Sequence, residues 1–174
     1  MDLNFPLIYW CFLFVGLAIF LYIFNSKKFT TQKSLEKIIS LEQVSKKNNT
    51  SLTYELTFQL GLLQLKKKEY NKAIEQFRNC LLLWDKNDIL ALAVLYNTIG
   101  FCYYKSDKLE ISIYYYNQSI SLLPDYISAL NNLGIVFERQ FDKQKSLYIY
   151  KQILKYDPTN LNAKERCLIL NNAQ

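Results

Sequence analysis

Apolar and polar positions divide the chain into three stretches with different patterns. Phe5–Phe24 runs for twenty residues without a charged side chain, which predicts a membrane-spanning helix. Residues 31–47 place apolar side chains at helical spacing among Lys, Glu, Gln and Ser, which predicts a short amphipathic helix. Residues 54–160 return to the same order of apolar, small and aromatic side chains after a fixed interval. That recurrence indicates a repeated structural unit.

The uncharged stretch has the length and the flanks of a transmembrane helix. About 20 residues at a rise of about 1.5 Å cover a hydrocarbon core of about 30 Å. Tyr9 and Trp10 lie near one end and Tyr22 near the other, where aromatic rings favour the membrane interface. We therefore predict a transmembrane anchor in residues 1–26, followed by a basic amphipathic connector in residues 27–50. Whether the connector lies on the repeats or on lipid stays open.

A cleaved signal peptide and a buried core helix are the alternatives to an anchor. A signal peptide would begin with basic residues and end in small ones, whereas residues 1–4 carry no Lys or Arg and the stretch ends in Tyr22, Ile23 and Phe24. The next lysines all follow the stretch: Lys27, Lys28, Lys33 and Lys37. The positive-inside rule then places the N-terminus outside and the repeats in the cytoplasm, stroma or matrix. Because no Arg- and Ser-rich transit peptide precedes the stretch, we expect an organellar form to be made inside the organelle.

The repeated unit has a period of 34 residues. The pairs at this distance are Gly100 and Gly134, Ser112 and Ser146, Tyr116 and Tyr150, and Pro124 and Pro158. A first unit with Gly61, Ala73 and Phe77 precedes the second by 39 residues, so five extra residues lie near Asp88–Leu92. We predict three units, in residues 54–87, 93–126 and 127–160, and a capping helix in residues 161–174.

These motifs resemble the tetratricopeptide repeat, a helix–turn–helix unit of this period that stacks into a binding solenoid. The resemblance implies an all-α fold in which an N-terminal transmembrane helix precedes a solenoid of three repeats and a capping helix. It implies that glycines allow close approach of the two helices, small residues face the glycines, aromatic residues fill the space towards the next unit, and prolines end helices. These repeat-packing residues are Gly61, Ala73, Phe77, Gly100, Ser112, Tyr116, Pro124, Gly134, Ser146, Tyr150 and Pro158.

The sequence departs from the family pattern at two kinds of position. The turn glycine of the family is replaced by Lys68, Asp107 and Phe141. The first unit also has Gln64 where an aromatic residue is usual and Asp85 in place of its proline.

The resemblance further implies that the first helix of each unit lines a groove that binds other proteins. The residues at the matching positions are Glu55, Phe58, Leu62, Leu65, Lys66, Val94, Asn97, Phe101, Tyr104, Lys105, Ser128, Asn131, Ile135, Glu138 and Arg139. Asn97 and Asn131 fit two roles, pairing with the backbone of an extended peptide or stabilising the repeats. Phe58 and Leu62 stand where the carboxylate clamp of chaperone-binding members has polar groups. The groove therefore favours an apolar or amphipathic protein segment, such as a nascent or small membrane subunit.

Composition argues against catalysis, metal binding and nucleic-acid binding. The chain has no histidine, and its four cysteines show no metal-ligand spacing. It has no glycine-rich phosphate loop, and no carboxylates at catalytic spacing. The net charge of +6 is concentrated after the uncharged stretch, as membrane orientation requires. The run Lys66–Lys68 is typical of a solvated helix end, and Tyr114–Tyr116 of core and outer surface; a nucleic-acid patch and a stacking platform are the alternatives. We predict a non-enzyme without cofactors or metals.

The whole architecture is similar to the membrane-anchored tetratricopeptide proteins of cyanobacteria and red-algal plastids that assist photosystem I assembly. A composition rich in Lys, Asn, Ile, Tyr and Phe, which AT-rich codons specify, agrees with such an origin. The resemblance implies a scaffold in the plastid thylakoid membrane, with the repeats on the stromal side and photosystem I subunits or intermediates as partners. The alternative is a bacterial inner-membrane adaptor that recruits an envelope assembly enzyme or protease. A mitochondrial import receptor is a third possibility.

Overall fold

The computed structural model describes residues 12–26, 36, 39–40, 53–84 and 88–172. All regular secondary structure in these residues is α-helical. The helices, numbered along the chain, are α1 (residues 12–26), α2 (Tyr54–Lys66), α3 (Tyr70–Leu82), α4 (Ile89–Lys105), α5 (Leu109–Leu122), α6 (Ile127–Arg139), α7 (Lys143–Tyr156) and α8 (Leu161–Asn172). The chain divides into two units, Met1–Leu52 and Thr53–Gln174.

In the N-terminal unit, α1 exposes its apolar side chains along its whole length. Within the described ranges, no helix combines the length and the apolar run that a bilayer crossing needs. The predicted anchor Phe5–Phe24 begins outside the described residues, which start at Phe12. The predicted connector helix also falls outside them, apart from residues 36, 39 and 40, which are helical.

In the C-terminal unit, α2 to α8 form a helical solenoid. The helices pair as α2 with α3, α4 with α5 and α6 with α7, and α8 packs on α7. Each helix contacts its neighbours along the chain, and α4 also contacts α6 directly. Contacts restricted to near neighbours are typical of repeat proteins, in which each repeat buries the apolar face of the next. The predicted all-helical repeat solenoid is confirmed.

Two apolar cores fill the solenoid, one at each junction between units. The first core joins α3 to α4 and contains Ala73, Ile74, Phe77, Cys80, Leu95, Ile99, Cys102 and Tyr103. The second joins α5, α6, α7 and α8 and contains Tyr116, Leu130, Leu133, Val136, Ile149, Tyr150, Ile153, Ala163 and Cys167. Residues of α8 belong to the second core, so the capping helix covers an apolar face that the third unit would otherwise expose.

The five extra residues between the first two units lengthen a helix. The predicted second unit begins at Ala93, whereas α4 begins at Ile89 and has 17 residues against 13 in α2 and α6. The reason is local: Asp88 Oδ1 accepts a hydrogen bond from the Ala91 backbone N–H at 2.9 Å, which caps the helix one turn earlier than the repeat pattern does. Ile89 and Leu90 in the added turn remain exposed.

The turn inside each unit contains a left-handed residue that is not glycine. Lys68 and Asp107 have φ of 62°, and Phe141 has φ of 59°. These are the three positions at which the sequence lacks the turn glycine of the family. The backbone keeps the left-handed turn that links the paired helices. Because each of these residues has a Cβ atom, its close contact with the backbone makes this conformation less stable than it would be for glycine.

Candidate partner-binding groove

The first helices of the units, α2, α4 and α6, carry the predicted groove residues. Side chains join α4 to α6, and α6 to α8, across the unit boundaries. Asn132 Nδ2 donates to Asn97 Oδ1 at 2.9 Å, and Arg139 Nη1 reaches the Tyr104 carbonyl oxygen at 3.4 Å. Asn162 Nδ2 of α8 donates to Asn131 Oδ1 at 2.8 Å. From α4 to α8, the first helices and the cap therefore form one connected surface.

Close packing of a glycine on an aromatic ring fixes the two helices of each unit. A Cβ atom on Gly61 would lie 2.6 Å from Phe77 Cε1. On Gly100 it would lie 2.8 Å from Tyr116 Cδ1, and on Gly134 it would lie 2.9 Å from Tyr150 Cζ. Each ring thus covers the glycine of its own unit. The sequence analysis did not predict this contact, because it assigned the rings to the space towards the next unit. The rings do both, since they also belong to the junction cores.

The small residues of the second helices are buried in different ways. Ala73, Ser112 and Ser146 have no exposed surface. Ser146 Oγ donates to the Gly134 carbonyl oxygen at 3.1 Å, which ties α7 to α6. Ser112 Oγ instead donates to the Leu109 carbonyl oxygen of its own helix at 2.7 Å. Both serine hydroxyls are therefore hydrogen-bonded although buried, and a small side chain at this position keeps the helices close.

The two prolines lie in the turns that follow the second helices. Pro124 comes two residues after the end of α5, and Pro158 two residues after the end of α7. Both are exposed, and the next helix starts within three residues of each. A proline lacks the N–H that would continue a helix, so this position suits the change of direction.

The predicted apolar floor is accessible without being fully exposed. Phe58 is half-buried and packs on Tyr54 and Phe77, with ring centroids 6.0 and 5.6 Å away. Leu62 is 37% exposed, and Phe101 and Ile135 are half-buried. Apolar side chains in this state can gain further burial from a partner.

The remaining matching positions fall into exposed and half-buried groups. Glu55 and Ser128 are exposed, whereas Leu65 and Val94 are half-buried. Glu55 also accepts a hydrogen bond from Gln59 Nε2 at 2.8 Å, within the same helix.

Asn97 and Asn131 each accept a hydrogen bond within the solenoid through the side-chain oxygen Oδ1. Each Oδ1 accepts the bond from an asparagine of the following first helix or cap, described above. Both side chains are half-buried, and neither Nδ2 donates a hydrogen bond to the described residues. The geometry therefore gives these asparagines a role in joining units and leaves a donor on each for a partner.

Cations at the end of the first helices pack on aromatic rings. Lys105 Nζ lies 5.3 Å from the Phe101 ring centroid and 5.6 Å from that of Tyr104. Arg139 Cζ lies 5.3 Å from the Tyr104 centroid, and Arg139 Nη2 forms an ion pair with Asp107 Oδ1 at 2.9 Å. These are favourable cation–π distances, and they hold two charges beside the apolar floor.

Glu138 is engaged by the capping helix. Arg166 Nε donates to Glu138 Oε1 at 2.9 Å, and Arg166 Nη2 pairs with Glu138 Oε2. The Tyr150 phenol lies buried beside this pair, and burial together with the Glu138 carboxylate raises its pKa above the ordinary value. The predicted groove residue Glu138 thus stabilises the cap through a bidentate, charge-assisted pair.

Four residues that bond to the predicted groove residues were absent from the sequence prediction: Asn132, Asn162, Arg166 and Asp107. Three of them bond across a unit boundary at separations of 35, 31 and 28 residues, which do not follow the repeat period. Asp107 was noted for its turn position only. Asn132 could have been found from the sequence, because it directly follows the predicted groove residue Asn131 and is also an asparagine.

Buried cysteines and tyrosines in the solenoid stay uncharged. Burial raises the pKa of the Cys80 and Cys102 thiols and of the Tyr54 phenol to about 12 each. In the described ranges, no group of three or more Cys, Asp or Glu side chains is placed to hold a metal ion.

The chain is similar to several known proteins of the repeat type. A family model described as tetratricopeptide repeat matches residues 54–83, the first unit. The protein ycf37 of Guillardia theta is 32% identical over 155 residues, which cover 88% of this chain and 86% of that protein. The chloroplastic tetratricopeptide repeat domain-containing protein PYG7 of Arabidopsis thaliana is 33% identical, over 63% of this chain and 36% of that protein. The photosystem I assembly protein Ycf3 of Rippkaea orientalis is 27% identical, over 79% of this chain and 83% of that protein.

A solved structure supports the fold. The crystal structure of MamA superposes with a TM-score of 0.65 at 21% identity, over 76% of this chain and 74% of that one. Its likeness establishes the architecture alone. The sequence relatives show that the chain belongs to the ycf37 family of tetratricopeptide-repeat proteins, and that it is a protein-interaction scaffold rather than an enzyme.

Proposed function

We propose that the chain is a membrane-tethered scaffold that holds photosystem I subunits or assembly intermediates and so assists the assembly or stability of photosystem I. The observation that carries the proposal is the similarity over most of the chain to a protein named for photosystem I assembly. The chloroplastic relative supports a plastid location, as does an amino-acid composition rich in residues that AT-rich codons specify.

The groove supplies the means of holding a partner. Leu62, Phe101 and Ile135 offer partly exposed apolar surface along three successive first helices. Lys105 and Arg139 border this surface with fixed charges. An apolar floor with a polar border suits an amphipathic segment, such as part of a membrane subunit before it is incorporated.

Tethering to the thylakoid membrane is the second part of the proposal. It rests on the uncharged stretch Phe5–Phe24 and on the lysines that follow it. The exposed apolar side chains of α1 agree with a lipid environment. In this arrangement a single pass through the membrane keeps the repeats on the stromal side.

Deletion of the gene, with quantification of both photosystems, tests the function. We expect photosystem I to fall while photosystem II is maintained. Complementation with Leu62→Asp, which places a charge on the groove floor, should fail to restore photosystem I. The matched variant Leu82→Asp changes a leucine that is 84% exposed on a second helix and should restore it. Unchanged photosystem I under all growth conditions would refute the proposal, as would capture of an envelope protease or assembly enzyme in its place.

Limited proteolysis tests the tether. Protease added to the stromal side of intact thylakoids should remove the chain beyond Lys28, and protease added from the lumen should leave the repeats intact. Protection of the repeats from the stromal side would reverse the proposed topology, and release of the chain by salt or alkaline washing would contradict an integral anchor.

A further inference from the structure

Each of the three first helices ends at a basic residue. Helix α2 ends at Lys66, α4 at Lys105 and α6 at Arg139, and all three side chains are exposed. They occupy the same position of successive units although α4 has 17 residues and the other two have 13, because the extra turn is added at the other end of α4. One edge of the groove therefore carries a row of cations, one for each unit.

Two of the three cations in the row are held in place by aromatic rings. Lys105 packs on the rings of Phe101 and Tyr104, and Arg139 packs on Tyr104. Lys66 and Lys105 form no ion pair with the described residues. Arg139 is paired with Asp107, whose side chain is 76% exposed, and an exposed pair of this kind is weak enough for a partner carboxylate to compete.

The opposite end of two of the first helices, α2 and α4, carries negative charge. Glu55 lies in the first turn of α2, and Asp88 caps the start of α4. Both side chains are exposed. A partner with acidic groups along one side is therefore attracted by one edge of the groove and repelled by the other, which fixes its orientation.

The floor between the edges favours contact through side chains. An extended peptide needs acceptors as well as donors for its backbone, and the bonds from Asn132 and Asn162 already occupy one lone pair on each Oδ1 of Asn97 and Asn131. A helix satisfies its own backbone and presents only side chains. The partly exposed floor residues Leu62, Phe101 and Ile135 match the apolar face of such a helix.

We infer that the groove binds an amphipathic partner helix with acidic residues every seven positions along one border of its apolar face. Lys105 Nζ and Arg139 Cζ lie 5.6 and 5.3 Å from the same Tyr104 ring centroid, so these two successive cations are at most about 11 Å apart. Seven residues of a helix rise by about 10.5 Å and return to the same face, so acids at i, i+7 and i+14 meet Lys66, Lys105 and Arg139 in turn. This inference rests on the groove assigned in the proposed function and specifies the chemistry of its occupant.

Three synthetic helical peptides of about 21 residues test the inference. All share one leucine face; the first carries Glu at i, i+7 and i+14 beside that face, the second carries the same three Glu on the opposite face, and the third carries Lys in place of Glu. Binding of each fluorescent peptide to the full chain in detergent micelles is measured by anisotropy. We expect the first to bind at least about tenfold tighter than the second, and the third to bind weakest.

Charge reversal identifies the groove residues that bind the acidic side chains of the peptide. Lys105→Glu should weaken the first peptide about tenfold, and a peptide with Lys at i+7 should recover that loss. Lys155→Glu on α7 makes the same charge change at an exposed site of a second helix and should leave binding within about twofold. An equal loss with Lys155→Glu would overturn the inference, because it would show a response to net charge alone.

Two further outcomes separate this inference from the proposed function. Equal binding of all three peptides, each weakened by Leu62→Asp, would overturn the acidic spacing and leave an apolar groove available for photosystem I subunits. Binding of none of them would also overturn the inference, whereas the proposed function would then be decided by photosystem levels in the deletion strain.

Discussion

Arg166 of the capping helix α8 forms a two-point ion pair with Glu138 of α6, the first helix of the third unit. Nε lies 2.9 Å from Glu138 Oε1, and Nη2 pairs with Oε2. The Glu138 side chain is 19% exposed and that of Arg166 is 35% exposed. The pair thus connects the end of the groove to the cap at a site that water reaches only in part, where the loss of one partner leaves a poorly solvated charge.

Arg166→Met is therefore expected to destabilise the solenoid by about 1–2 kcal/mol, less than a fully buried pair would lose, and to loosen α8. Urea denaturation gives the free energy of unfolding, and hydrogen exchange in residues 161–172 reports on the cap. The double variant Arg166→Met with Glu138→Gln should lose less than the two single variants combined, because it leaves no unpaired charge. Additive losses would show that the two side chains do not interact.

Phe141 combines a left-handed backbone with a side chain that is 93% exposed, so glycine should be better at this position. Phe141→Gly removes the steric cost of φ near 60° and gives up almost no buried surface. We expect a gain of about 1 kcal/mol in the free energy of unfolding, measured by thermal or urea denaturation. Lys151→Gly, at an exposed position inside α7, is the matched control and should lose about 1 kcal/mol. A loss with Phe141→Gly would mean that the phenyl ring makes a stabilising contact.

The repeat unit could be predicted from sequence because its essential contacts follow a fixed period. Gly100 and Tyr116 meet in the second unit as Gly134 and Tyr150 do in the third, and both pairs recur at 34 residues. The bonds from Asn132 to Asn97 and from Arg166 to Glu138 do not recur, since each depends on the residue that the neighbouring helix happens to present. The start of α4 was missed for a related reason. A cap at Asp88 is a local feature, and a repeat alignment places the boundary by analogy with the other units.

Asn132 offers a way to separate the two roles that Asn97 can have. Asn132→Ala removes the donor to Asn97 while Asn97 itself stays in the groove. If Asn97 chiefly joins α4 to α6, the variant should lose about 0.5–1.5 kcal/mol of unfolding free energy, as one hydrogen bond contributes. Asn117→Ala, at an exposed site of α5, is the control and should be close to neutral. Unfolding free energies equal to that of the wild type for both variants would rule out a structural role for the bond.

Gly134→Leu should disrupt the third unit because the new side chain has no room. Its Cβ alone would lie 2.9 Å from Tyr150 Cζ, and Tyr150 is completely buried. Overpacking of this kind costs about 1–3 kcal/mol or more, and it should weaken the docking of α8 as well. The melting temperature and the exchange of α8 amides measure both effects. Gly134→Leu combined with Tyr150→Ala should lose less than the two single variants together, because each change relieves the other's packing defect. A wild-type melting temperature for Gly134→Leu would show that the repeat register is wrong.

High pH should destabilise the solenoid through its buried thiols and phenols. The Cys80 and Cys102 thiols have pKa values of about 12 in the folded protein against an ordinary value of 9.0, and the Tyr54 phenol has about 12 against 10.0. Because the folded pKa is the higher one, the unfolded chain releases these protons first. These groups therefore do not change the free energy of unfolding below about pH 9. As the pH rises from there towards 12, they make the free energy of unfolding fall. Urea denaturation at intervals between pH 7 and pH 11 measures the decline. Cys102→Ala should make it shallower, whereas a decline of the same steepness in that variant would assign it to other groups.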